Sequence, residues 1–367
     1  MAIWRTENAL VLWGRETSPP TGGAPYGTPV IPGYRFGIHE TCEAPDPEIE
    51  WTPYWTASGS DRSRATVLRG RWRLSGSVPD IRCQPGLNGT GGLADVLALG
   101  MGRQSGGVVE EGITATDGRL PSFTMQVAAR DSDGNYQVGG FGFTRSYYGG
   151  KVNRMTLSAS EGEEVRLSLD EIMFKDIVHN IQGVSKVSTG QLSIGTDPGL
   201  NPRGRFLFAG ARIETLDPSV VLCRVKRFSL SLDNMLEPKY YLCDDASTNP
   251  GRYQVPSEIV EGKRKWSFDM EADTVDPSGD LTLFQYLLNQ GGTVTSGVTG
   301  FRMRMSFAST DGQGAGSMLV DLSPTVSSAR PGTVVTSGRI NIPPAPAGYM
   351  GGSYRMDVDR VRITVPS

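Results

Sequence analysis

Several things that would point to chemistry are scarce in this sequence. It has four cysteines, Cys42, Cys83, Cys223 and Cys243, in 367 residues. No two of them form a CxxC pair, which argues against a zinc site or a disulfide framework. They read as reduced thiols of a protein made in a cytoplasm. Only two histidines occur, His39 and His179, in unrelated sequence contexts. No GxSxG nucleophile elbow, GxxxxGK[ST] phosphate loop or strand-borne GxGxxG is present. No stretch approaches the roughly 20 apolar residues that span a bilayer. The N-terminal MAIWRTENAL lacks the apolar core of a secretion signal. The net charge of −3 gives no basic footprint for tight nucleic-acid binding. It suits a surface that nucleic acid slides past without sticking.

Glycine and proline are abundant, at 47 and 24, and both punctuate turns. Many short strands and long loops are therefore expected. Period-2 alternation supports this in SFTMQVAA (122–129), KVNRMTLSAS (151–160), EEVRLSLDEI (163–172), RVKRFSLSLD (224–233) and DVDRVRITV (357–365). The alternation predicts half-buried antiparallel strands. Two short segments carry helical patterns that end in glycine, GLADVLALG (92–100) and DLTLFQYLLNQG (280–291).

The chain also repeats itself. Arg35-Phe36 and Arg227-Phe228 open related segments, 227 − 35 = 192 residues apart. VLRGRWRLSGSVPD and IVEGKRKWSFDMEAD centre on Gly70 and Gly262, and 262 − 70 is again 192. FTMQV from Phe123 resembles FRMRM from Phe301, and each is followed by an Asp-Gly turn signal, at 133–134 and 311–312. VNRMTLS from Val152 resembles VDRVRIT from Val358. Each half reads as strand, long loop, strand, helix, hairpin, strand. The expected division is an N-terminal strand and extended arm (1–34), a first domain (35–182), a linker (183–204) and a second domain (205–367).

Candidate chemistry reduces to turns and surface. Asp131-Ser132-Asp133-Gly134-Asn135 opens like a calcium loop, but Gly142 stands where the bidentate Glu belongs. The Glu161, Glu163 and Glu164 cluster reads as a solvated turn. No catalytic residue, cofactor or metal is expected. What stands out is a pair of long aromatic loops, 41–66 with Trp51, Tyr54 and Trp55, and 237–258 with Tyr240, Tyr241 and Tyr253. Trp and Tyr anchor interfaces. These six, with Arg62 and Glu258, are the predicted contact residues. The Pro/Gly-rich arm 16–33 is expected to be disordered or to lie on a neighbour.

SLSLDNMLEPKYYL, PSEIVEGKRKWSFDMEAD and LFQYLLNQG, with RFGIHE…VLRGRWRLSGS and GGKVNRMTLSASEGEEVRLSLDEI in the first half, resemble the major tail tube proteins of long-tailed bacteriophages. The resemblance spans most of residues 33–310. It implies a mainly β fold, here two tandem β-sandwich or barrel domains, each with a short flanking α-helix. It also implies self-assembly into stacked trimeric, pseudo-hexameric rings whose lumen conducts genomic DNA to the host. Implied partners are further copies of the chain, a tape-measure protein, and tail terminator and tip proteins, with no membrane anchor. The implied location is the virion tail, assembled in the host cytoplasm. In the family the loops and arms contact the adjacent ring. The rival expectation is a two-domain β-sandwich that binds a carbohydrate or receptor.

Overall fold

The computed structural model describes residues 9–16, 27–39, 41–55, 64–85, 91–111, 120–129, 144–179, 195, 204–216, 219–222, 225–240, 255–273, 300–310, 316–325, 332–341 and 351–366. The first half runs β1 (Ala9–Arg15), β2 (Tyr34–Arg35), β3 (Glu43–Trp55), β4 (Arg64–Arg82), α1 (Leu93–Met101), β5 (Gly102–Ser105), β6 (Val108–Glu111), β7 (Phe123–Ala129), β8 (Thr144–Ser160), β9 (Arg166–Phe174) and β10 (Asp176–His179). The second half runs β11 (Arg212–Leu216), β12 (Ser219–Val221), β13 (Val225–Asp233), β14 (Glu237–Lys239), β15 (Glu258–Val260), β16 (Lys265–Asp273), β17 (Met303–Phe307), β18 (Met318–Leu322), β19 (Val334–Asn341), β20 (Gly351–Val358) and β21 (Val361–Thr364). The protein is mainly β, as the alternation predicts. The helix expected at 92–100 is α1. The one expected at 280–291 and both Asp-Gly turns lie outside the described residues, but the strands flanking each turn pair antiparallel, β7 with β8 and β17 with β18.

Two layers pack face to face. The first is a continuous antiparallel sheet of eight strands in the order β19-β20-β16-β13-β8-β9-β4-β3. The second consists of β10, the start of β8, β7, β1 and β2 in the first half, and of β12-β11-β17-β18-β21 in the second, with β6 and β5 of the first half added to the edge of β21. Between them lies one hydrophobic cluster that runs through both halves. Aromatic pairs join the layers: Phe123 of β7 meets Phe174 of β9 with centroids 5.8 Å apart, and Phe228 of β13 meets Phe307 of β17 at 5.4 Å. Such edge and offset contacts add to the burial of the rings.

The 17-residue β8 belongs to both layers. Its first part pairs with β7 and β10, and residues 151–160 pair with β9 and β13. Gly149-Gly150 stands at the crossing. Gly149 has φ +65, and a Cβ on Gly150 would lie 2.6 Å from Phe174 Cε1 and 2.9 Å from the Phe123 carbonyl oxygen. Gly150→Ala is expected to lower stability by about 1–3 kcal/mol through overpacking against backbone, read as a shift in the denaturant midpoint.

The pairing pattern of the first half recurs in the second. β9 lies between β8 and β4 as β20 lies between β19 and β16. A bulge skips Asn153 between Val152 and Arg154 opposite β9, and another skips Thr336 between Val335 and Ser337 opposite β20. Leu74 faces Phe174 before the bend into β10, and Trp266 faces Val358 before the bend into β21. The step from Leu74 to Trp266 is 266 − 74 = 192, the same as from Gly70 to Gly262.

Two of the sequence landmarks are corrected by this pairing. Arg35 pairs with Leu12 in the covering layer, whereas Arg227 pairs with β8 and β16 in the eight-stranded sheet. The counterpart of β13 is instead β3. Val358 occupies the place of Phe174, and the place of Val152 is taken by Val335. Alternating strands resemble one another by parity alone, so a short match does not identify a partner. Residues 43–55 also form a strand, where a loop was expected. Pro45, Pro47 and Pro53 give the segment its loop-like look, and proline is tolerated on an edge strand such as β3.

The described part of the arm lies on its own chain. Val30 N donates to Thr124 Oγ1 at 3.0 Å and Gly33 N to the Trp13 carbonyl at 3.2 Å. Beside it, Glu16 is buried, and its Oε1 accepts from Thr124 Oγ1 and Gly149 N, both at 2.8 Å. Burial raises its pKa, and these hydrogen bonds offset the rise only in part. A carboxyl with a raised folded-state pKa contributes stability that is full below its unfolded value and is lost as pH climbs through the folded one. Glu16→Gln is expected to match the wild type in acid and to exceed it at neutral pH, measured as the urea midpoint against pH.

Candidate functional site

The eight-stranded sheet has one apolar and one polar face, set by alternation. On β13, Phe228, Leu230 and Leu232 enter the core, while Ser229, Ser231 and Asp233 point away from it. On β8, Met155, Leu157 and Ala159 are buried against Thr156, Ser158 and Ser160 on the other side. Hydroxyls recur along this polar face, and Thr156 Oγ1 donates to Asp170 Oδ2 at 2.6 Å. A shallow hollow of about 590 Å³ opens over it between Ser158, Arg227, Glu271 and Arg339.

Several cations of the sheet are matched by carboxylates. Arg154 lies 2.9 Å from Glu171, Arg227 lies 2.6 Å from Glu271, and Lys226 lies 2.8 Å from Asp273. Arg166 lies 3.8 Å from both Asp80 and Glu164, and Arg355 lies 3.8 Å from Asp269. Exposed pairs of this kind contribute little stability, about 0–1 kcal/mol each. Their effect is to cancel local charge across the face. The strands 151–170 and 222–233 carry six cations in sequence, and each described one has a carboxylate partner; Arg224 lies outside the described residues.

A second feature ties the two halves together. The segment after β13 crosses onto the first half. Asn234 Nδ2 donates to the carbonyls of Gly100 (3.1 Å) and Val152 (2.9 Å), and Arg264 Nη1 donates to the Met101 carbonyl at 3.1 Å. Gly100 and Met101 close α1, so the second half supplies partners for carbonyls that a helix end leaves open. A cation there also complements the helix dipole. Burial lowers the Arg264 pKa, with Glu111 and Glu261 opposing the drop. Further along, Lys151 of β8 is 2% exposed and donates to Glu261 Oε1 at 2.6 Å and to the Ile259 carbonyl at 2.8 Å. Leu120, Met173, Leu236 and Ile259 form a small apolar cluster beside it. Sequence reading missed Asn234 and Arg264, since a polar residue after a strand looks like any turn.

Of the predicted contact residues, Trp51, Tyr54 and Trp55 stand on β3, in register with Arg69, Thr66 and Arg64 of β4. Tyr240 works within the chain: its hydroxyl donates to the Trp72 carbonyl at 2.8 Å, and the Arg71 guanidinium lies 5.2 Å from its ring centroid. Glu258 opens β15 opposite Lys239 of β14. Arg62, Tyr241 and Tyr253 lie outside the described residues.

The described residues hold no group of three His, Cys, Asp or Glu able to bind a metal ion. Burial pushes the Cys42 thiol up to about 12 and raises that of Cys83 further. Thiols held protonated in this way are poor nucleophiles. Glu161 and Glu163 are exposed at the turn between β8 and β9, while Glu164 is buried and lies 3.1 Å from Arg82 and 3.3 Å from Arg205. Among the described residues no helix is long and apolar enough to cross a membrane.

No curated protein matches the sequence. A family model described as "Phage tail tube protein" matches residues 6–351, which takes in every strand of the eight-stranded sheet except β20 and all of its cover except β21. A sheet whose polar face carries hydroxyls and paired charges suits a wall, and with the family model covering nearly the whole length the chain belongs to the phage tail tube protein family, whose members are structural components of the virion tail that assemble into a tube.

Proposed function

We propose that three copies of this chain close into a ring of six similar units, and that rings stack into a tube through which genomic DNA passes to the host. The observation that carries this reading is the junction of β8 with β13. It joins two four-stranded sets, β8-β9-β4-β3 and β13-β16-β20-β19, side by side in one continuous sheet. The set ends, β3 and β19, each pair with one strand only among the described residues. Repeating the internal junction between chains covers both ends, and unpaired strand edges otherwise invite uncontrolled association. Closing such sheets makes a barrel. The two units correspond to 35–182, with β1 added to its cover, and 205–367, joined by 183–204.

The polar face is assigned to the lumen. Among the described residues its hydroxyls and paired charges leave no run of free cations to hold phosphates, so DNA moves along it without the counterion release that makes binding tight. Before ejection the same lumen holds a tape-measure protein. Trp51, Tyr54, Trp55, Arg62, Tyr241, Tyr253 and Glu258, with the arm 16–33, are assigned to contacts between rings, and terminator and tip proteins cap the tube. Assembly takes place in the host cytoplasm. Electron microscopy of concentrated purified protein tests the reading: hollow tubes with threefold rings are expected. Protein that stays monomeric at every concentration, with and without a tape-measure partner, would overturn it.

A further inference from the structure

The polar face of the eight-stranded sheet leaves charge unpaired at its two ends. Arg339 on β19 and Glu48 on β3 are both exposed, and neither makes an ion pair among the described residues. They have opposite signs and stand at opposite ends of the sheet. The internal junction says how such ends meet. Within it, Leu232 faces Met155 and Asp233 faces Arg154. On its other side Leu232 faces Trp266, as Pro47 faces Leu74. Since Leu74 and Trp266 hold equivalent places, Pro47 matches Leu232 and Glu48 matches Asp233. The paired bulges match Arg154 with Ser337.

Carrying the register over, we propose that β19 of one copy pairs antiparallel with β3 of the next so that Ser337 faces Glu48, Gly338 faces Pro47 and Arg339 faces position 46, an aspartate. Arg339 is then diagonal to Glu48, a spacing that a long side chain spans. The internal junction sets Asp233 against Arg154; the junction between copies keeps a cation on the same face, moved two residues along. The prolines of β3 remove backbone donors from that strand, which weakens indiscriminate pairing and leaves the choice of register to the charges. The contact joins two different edges, so it propagates head to tail and closes only by rotation. This inference rests on the ring reading above and adds its register and selectivity.

The test is charge reversal read by assembly. Arg339→Glu places a carboxylate among the acidic residues of β3 and is expected to raise the concentration needed for tube formation by roughly tenfold or more, because each ring repeats the repulsion at three junctions. The triple variant Arg339→Glu with Asp46→Lys and Glu48→Lys is expected to bring it back toward wild type. Monomer unfolding midpoints serve as the folding control. Salt gives an independent reading: it should raise the assembly threshold of the wild type, where it screens attraction, and lower that of Arg339→Glu, where it screens repulsion. An Arg339→Glu protein that assembles like wild type, or a salt response of the same sign in both, overturns the register while wild-type tubes leave the ring reading standing. Absence of tubes from the wild type removes both.

Discussion

Replacing Lys151 with alanine should cost the protein about 3–5 kcal/mol, because it strips one partner from a buried ion pair and leaves the other uncompensated. Glu261 Oε1 would keep only the Leu120 amide, at 2.8 Å, and the Ile259 carbonyl would lose its 2.8 Å partner. The loss falls where the second half clamps onto the first, so its reach is larger than one side chain. The denaturant midpoint should drop accordingly, and amides near Ile259 should exchange faster with solvent. Lys151→Met combined with Glu261→Gln removes both charges and keeps an acceptor for Leu120, and should recover more than half of the loss. If the single variant proves as stable as the wild type, the clamp does not depend on this pair.

Ser231→Pro should be at least as damaging. Ser231 sits in the middle of β13, opposite Ser267 of β16 on one side and Thr156 of β8 on the other. A strand paired on both sides has no room for a residue without an amide hydrogen, and the substitution should cost about 3 kcal/mol or more. It should also part the two halves at the seam that makes the sheet continuous. Soluble yield and thermal unfolding are the measurements, with two separate transitions expected where the wild type shows one. The three natural prolines of β3 give the comparison, since an edge strand carries them without losing its pairing to β4. A Ser231→Pro protein with a single wild-type transition would show that the seam is not needed for the halves to fold together.

What could be read in advance depended on whether the signal was local. The alternation of 163–172 and 224–233 was enough to place β9 and β13, and the glycine-ended GLADVLALG at 92–100 was enough for α1. The 192-residue step holds from Leu74 to Trp266 because both sit in strands with equivalent neighbours, and Gly70 and Gly262 precede them by four residues each. It misleads at Arg35 and Arg227, where similar letters serve different sheets. β3 hid behind its prolines, whose meaning depends on whether a strand lies at an edge, and that is a tertiary fact. The matching of cations with carboxylates was out of reach for the same reason: Arg227 finds Glu271 across a neighbouring strand 44 positions on, 271 − 227, and only the register reveals it. The closure of α1 by Asn234 and Arg264 required knowing that one half lies against the other.

The seam between β8 and β13 bears on how wide the tube is. Because the two units come as one chain, a growing ring changes size only in steps of two units. A ring closed wrongly from this chain would hold four or eight units, so its circumference would miss by about a third, against about a sixth for a protein that adds single units, and barrel diameter scales with strand number. The larger misfit bends every strand pair further from its preferred twist. Covalent linkage thus acts as a gauge for the bore, making the nearest errors coarse enough to be rejected.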